Sequence, residues 1–149
     1  MGELYFEYHR GTYTSQAAAK RGNRRGERML HEVEAAAALA HRLGAARYPA
    51  DELRELWRLL LVNQFHDILP GSSIHAVYED AERDHALIAE RGAALRDAAA
   101  RALGGSGGDQ APLNLTPFAR FEVATGVGGE PAAVRAPSYG FGAVVAPED

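Results

Sequence analysis

The chain has 149 residues, 46% of them apolar and 24% charged, with 16 Lys+Arg against 20 Asp+Glu for a net charge of −4, and it has no cysteine. This is the balance of a folded globular protein rather than a disordered chain. It excludes disulfides, thiol chemistry and Cys-type zinc sites, and its net acidity argues against a general nucleic-acid binder.

Leu4, Phe6 and Tyr8 alternate with Tyr5 and Glu7, which predicts a short strand, and His9-Arg10-Gly11-Thr12 reads as a turn. A lone strand needs a partner, so residues 1–14 are expected to lead in from a missing domain. Met1–Tyr5 lacks the basic and apolar regions of a secretory signal. Met29 or Leu30, Val33, Ala37, Ala40 and Leu43 or Gly44 recur at helical spacing. Thr14 or Ser15 is expected to cap this first helix, and Gly44 to end it in a left-handed conformation. Leu53, Leu56 or Trp57, Leu60 and Leu61 mark a second helix, with Pro49 in its first turn and Asp51 and Glu52 near its positive end. Pro70-Gly71 is expected to break it. Ser72 or Ser73 should cap a third helix, whose seam is Ile74, Tyr78, Ala81, His85, Ile88, Gly92, Leu95, Ala99 and Ala102.

Nine of the 16 glycines and five of the seven prolines fall at or beyond residue 104, so the helical reading stops there. Residues 104–111 read as a Gly-rich linker. Beyond it Leu113–Phe118, Phe121–Thr125 and Tyr139–Val145 are strand-like, and residues 112–149 are expected to open a larger β domain. The predicted fold is mainly α. It is an antiparallel three-helix bundle over 15–103, with a short N-terminal strand and turn and C-terminal β segments. No run of about 18 apolar residues is present to span a bilayer.

The densest candidate for chemistry is Asn63-Gln64-Phe65-His66-Asp67, where an apolar helical run turns polar just before Pro70-Gly71. An imidazole suits zinc-like ions and an adjacent carboxylate suits substrate contact or support of the ligand. The bland reading is that His66 and Asp67 only cap a helix end. No other spacing completes a metal site: there is no His-Glu-x-x-His, His75 and Glu79 merely share a helix face, and His85 reads as a hydrogen-bonded core histidine. Lys20, Arg21, Arg24, Arg25 and Arg28 form a basic stripe, read either as a solvated face or as a surface for an acidic partner. Asn114-Leu115-Thr116 matches the glycosylation triplet, a pattern frequent by chance.

Three stretches together resemble glycoside hydrolase family 38, the α-mannosidases. They are Gly2–Ser15 continuing through Lys20–Glu27, then Leu56–Ser73, then Leu113–Val123. The similarity is closer to bacterial and cytosolic-type members, because Phe65-His66-Asp67 and Pro70-Gly71-Ser72 stand where other members carry His-His-Asp and Thr-Gly-Thr. The resemblance implies a middle domain between an N-terminal α/β barrel and C-terminal β domains, in a retaining, metal-dependent enzyme that hydrolyses α-D-mannosides. It implicates His66 as a metal ligand and Asp67 as a substrate contact, and it brings His9 and Arg10 toward the cleft. The metal it implies is Zn²⁺ or Co²⁺, bound in the full-length enzyme and not tightly by these residues alone, with the nucleophile, the acid and the remaining ligands elsewhere. The expected location is cytoplasmic, with neither nucleic acid nor membrane as partner. The competing expectation is a free-standing helical interaction module that uses the basic stripe.

Overall fold

A computed structural model describes residues 9–104, 112–125 and 130–145. It contains α1 (Ala17–Arg42), α2 (Ala50–Asn63) and α3 (His75–Gly104), followed by strands β1 (Leu113–Asn114), β2 (Arg120–Thr125), β3 (Pro131–Ala136), β4 (Gly140–Phe141) and β5 (Ala143–Val144). The mainly α architecture with C-terminal β segments is therefore as predicted. The strand expected over Leu4–Tyr8 and most of the 104–111 linker lie outside the described residues; Gly104 is the last residue of α3.

The chain divides into two compact units, Met1–His31 with Pro49–Ala94, and Glu32–Tyr48 with Leu95–Asp149. In the first, an up-down-up bundle follows from side-chain pairings. Gln64 reaches Asn23 and Lys20 reaches Leu69, so α2 runs antiparallel to α1. Asn63 meets Asp84 and Glu55 meets Arg91, so α3 runs antiparallel to α2. Leu30, Leu53, Leu56, Leu60, Tyr78, Ala81 and Ile88 are buried in this unit. Glycines let the backbones approach: Gly22 faces the His85 ring, Gly26 faces Leu60 and Ile88, and Gly92 faces Met29. The predicted seam of α3 holds from Tyr78 onward, but Ile74 precedes the helix and is exposed.

The helix ends differ in detail from their predicted caps. Thr14 and Ser15 do not cap α1, because both hydroxyls donate back to the Gly11 carbonyl and Gln16, with φ +51°, makes the turn into the helix. Pro49 stands just before α2 rather than inside its first turn, while Asp51 and Glu52 do occupy that turn. Ser72 donates to Asp67 Oδ1, and the Ser73 N–H donates to Tyr78 Oη, so local pairings rather than a hydroxyl cap organise the entry to α3.

In the second unit, α1 ends at Gly44 as predicted. Gly44 has φ +70°, its N–H donates to the His41 carbonyl, and that of Ala45 donates to Ala40, the paired bonds of a Schellman stop. Ala36, Ala37 and Ala99 form a core patched by Tyr48, Leu113 and Leu115. β1 pairs antiparallel with β4, and β2, β3 and β5 form a second antiparallel sheet in which Glu122 opposes Val134 and Val134 opposes Val144. β2 matches its prediction. The piece Leu113–Phe118 is strand only at Leu113–Asn114, and Tyr139–Val145 splits around Gly142. β3 was not foreseen: it opens on a proline and holds three alanines, a weak strand signal that pairing with β2 overrides. Asn114 is buried, and its amide donates to the carbonyls of Phe118 and Pro137 while its Oδ1 accepts from Thr116. The glycosylation triplet is thus a structural turn with its amide consumed.

Candidate functional site

The polar segment does not form the end of a helix running to Pro70. α2 stops at Asn63, and residues 64–74 are non-helical, with turns over 66–70. Two amides anchor the point of departure. Asn63 is buried and donates from Nδ2 to the Leu59 carbonyl (3.0 Å) and to Asp84 Oδ2 (2.9 Å). Gln64 donates from Nε2 to Asn23 Oδ1 (2.9 Å) and Glu27 Oε1 (3.0 Å) on α1. The amides at 63 and 64 are thus structural, and the two residues beyond Phe65 are the ones left outward.

His66 carries a side chain 77% exposed, and Asp67 one 56% exposed. His66 Nε2 lies 3.3 Å from Asp67 Oδ2, and the Phe65 ring stacks at a tilt against the imidazole with centroids 4.1 Å apart. Of the apolar residues around the motif, Leu60 is buried while Leu61 and Phe65 stand exposed. The turn is closed by backbone bonds from Ile68 and Leu69 to the Phe65 carbonyl and from Gly71 to Ile68, with Gly71 at φ +93°. Beneath it, buried Tyr78 donates from its hydroxyl to the Asp67 carbonyl (3.4 Å).

The basic stripe separates into two kinds of residue. Lys20 is half-buried and donates from Nζ to the carbonyls of Ser15 (2.6 Å), Leu69 (2.9 Å) and Pro70 (3.3 Å). It is a backbone clamp and does not belong to a solvated face. Arg21, Arg24 and Arg25 are exposed, with Arg24 paired to Glu27 at 3.4 Å. His9 and Arg10 lie exposed in the turn before α1. His75 and Glu79 pair at 3.5 Å on an exposed face of α3.

His85 corrects the expectation of a hydrogen-bonded core histidine. Neither ring nitrogen has a hydrogen-bond partner among the described residues, and the ring lies against Gly22 of α1. Burial of the ring lowers its pKa from the usual imidazole value, partly opposed by the neighbouring Asp84 carboxylate. The unfolded chain then binds the proton more readily than the folded one. Stability contributed by neutral His85 is present above the unfolded value of about 6.5 and is lost as the pH falls below it. Urea midpoints are expected to drop between pH 7.5 and 5.5, and His85→Leu to flatten that part of the profile. An unchanged slope in the variant refutes the assignment.

Among the described residues, no group of three or more His, Asp or Glu side chains is assembled to hold a metal ion. The donors present, a single exposed imidazole beside a carboxylate, are compatible with a metal ion only if further ligands are supplied from elsewhere. Tyr78 and Lys20, which hold the turn, were missed as part of this site. Tyr78 lay on the apolar seam, and Lys20 lay within a charge run that periodicity alone reads as solvated.

Residues 7–103 match the model of a protein family described as the alpha mannosidase middle domain. Alpha-mannosidase 2C1 of Homo sapiens is 44% identical over 155 residues, covering 99% of this chain and 15% of that protein. The protein of the same name in Mus musculus is 46% identical over 129 residues, 83% of this chain and 12% of its own length. Alpha-mannosidase G of Dictyostelium discoideum is 51% identical over 88 residues, 59% of this chain and 8% of that protein. The chain thus spans only a small part of the length of the curated relatives it matches.

Proposed function

Because this chain belongs to the alpha mannosidase middle-domain family, we propose that it serves a retaining, metal-dependent α-mannosidase by presenting His66 to the metal and Asp67 to the sugar. The observation that carries the reading is an exposed imidazole–carboxylate pair at the tip of a turn tied down on both sides by the bundle. Zn²⁺ or Co²⁺, when bound, supplies Lewis acidity toward sugar hydroxyls. The chain's own part is positional. His66 offers a ring nitrogen, Asp67 offers carboxylate oxygens to a mannose hydroxyl, and the bundle keeps both from wandering. The nucleophile, the general acid and the remaining metal ligands belong to other domains of the full-length protein, in this reading a cytoplasmic enzyme, and these residues by themselves hydrolyse nothing.

The test is His66→Ala in the full-length protein. Metal content by elemental analysis is expected to collapse, and kcat/KM on an aryl α-mannoside to fall by at least about 100-fold, the upper range for disturbing even the groups behind a ligand. Asp67→Asn should keep the metal and raise KM. Full metal occupancy and activity in His66→Ala overturns the reading. The alternative, an interaction module built on the basic stripe, would have to use the exposed Arg21, Arg24 and Arg25, since Lys20 is engaged by backbone carbonyls.

A further inference from the structure

We infer that Lys20 is the positioning residue of the His66–Asp67 turn, its ammonium gathering the carbonyls of Ser15, Leu69 and Pro70 so that the turn is held against the start of α1. This rests on the function proposed above for His66. Three donors on one nitrogen meet three carbonyl acceptors, at 2.6, 2.9 and 3.3 Å, so the half-buried charge is satisfied entirely by main chain. Charge-assisted bonds of this kind are stronger than neutral ones. One acceptor, Leu69, belongs to the closed circuit that carries His66 and Asp67, because the N–H groups of Ile68 and Leu69 both return to the Phe65 carbonyl, and a second, Pro70, lies in the next turn, closed by the Gly71 N–H on the Ile68 carbonyl.

The third acceptor ties the same nitrogen to the turn before α1, and the two backbones are already in contact there. A β-carbon on Gly71 would stand 2.7 Å from Ser15 Cβ and 3.1 Å from the Ser15 carbonyl oxygen. On the other side of His66, Gln64 is bound to Asn23 and Glu27, also on α1. One helix therefore grips the turn before and after the imidazole. Lysine suits this better than arginine, since a compact ammonium can be shared among carbonyls converging on one point, whereas a planar guanidinium spreads its donors in a fork.

The test uses the metal-loaded full-length protein with Lys20→Met, Lys20→Arg and His66→Ala. Affinity for Zn²⁺ and for Co²⁺ is measured by competition with a chromophoric chelator, alongside thermal unfolding and kcat and KM on an aryl α-mannoside. Lys20→Met is expected to weaken metal binding about 10–100-fold, with activity restored by excess metal and Lys20→Arg intermediate. His66→Ala is not restored. Rescue by metal separates misplacement of a ligand from general loss of fold. Lys20→Gln, which removes the charge but keeps a donor, is the variant used if Lys20→Met folds poorly, and it should show the same metal-rescuable defect. Wild-type metal affinity in Lys20→Met, or in Lys20→Gln where that variant is the one used, together with a metal-free His66→Ala overturns the role of Lys20 and leaves the reading of His66 standing. Retained metal in His66→Ala overturns that reading, and the role of Lys20 with it.

Discussion

Leu60→Ala is expected to destabilise the first unit by about 3–5 kcal/mol, the upper part of the range for burying alanine where leucine stood. Leu60 is fully buried, and one of its methyl groups packs where a β-carbon on Gly26 would come within 2.9 Å. The facing residue therefore has no side chain to relax into the vacated space, and the cavity stays open. Because total stabilities of domains are roughly 5–15 kcal/mol, this single change approaches unfolding. Trp57, the only tryptophan and a residue of α2, reports the transition by fluorescence during urea denaturation. Gly26→Ala added to Leu60→Ala should recover part of the loss, since the new methyl group occupies the same space. The two changes are expected to be non-additive in the stabilising direction. A loss under about 1.5 kcal/mol for Leu60→Ala would mean that the helices close over the gap.

Gly22→Ala is expected to cost roughly 0–2 kcal/mol net. Alanine gains up to about 1 kcal/mol of helix propensity over glycine. Against that, its β-carbon would stand 2.5 Å from His85 Cγ and 3.0 Å from His85 Cβ. The second distance decides the sign: Cβ is bonded to the α3 backbone, so the clash is not relieved by swinging the ring alone and the helices must part. Overpacking of this kind typically costs about 1–3 kcal/mol. His85→Ala in the Gly22→Ala background removes both the ring and the clash, and should return most of the lost stability. A stabilising Gly22→Ala on its own would show that the α1–α3 approach is looser than the structure has it.

How far the molecule was legible beforehand depends on the range of the interactions involved. The periodicity of Leu53, Leu56 and Leu60, and that of Tyr78, Ala81 and Ile88, marked the buried faces correctly, because a helix of fixed pitch brings such residues to one side whatever it packs against. Gly44 was equally readable, since its left-handed turn is satisfied by carbonyls within five residues. The end of α2 was misplaced by the local signal. Pro70-Gly71 is the obvious break, but the helix yields earlier, where Asn63 and Gln64 find acceptors on α3 and α1. β3 was invisible for the same reason: its alanines carry little preference for extended chain, and its pairing with β2 supplies what they lack.

Sequence alone, then, determined the helical class, the order of the three helices, the family resemblance and the pair His66–Asp67 as the place to look. Tertiary structure decided which polar residues are spent on architecture and which remain available. Lys20 and Leu69 are 49 positions apart, Gln64 and Asn23 are 41 apart, and Asn63 and Asp84 are 21 apart. Polar atoms leaving water need specific partners at about 3 Å, and the identity of a partner so distant along the chain follows only from how the helices come together. Apolar burial needs no such partner, which is why its pattern could be read in one dimension while the polar framework around the imidazole could not.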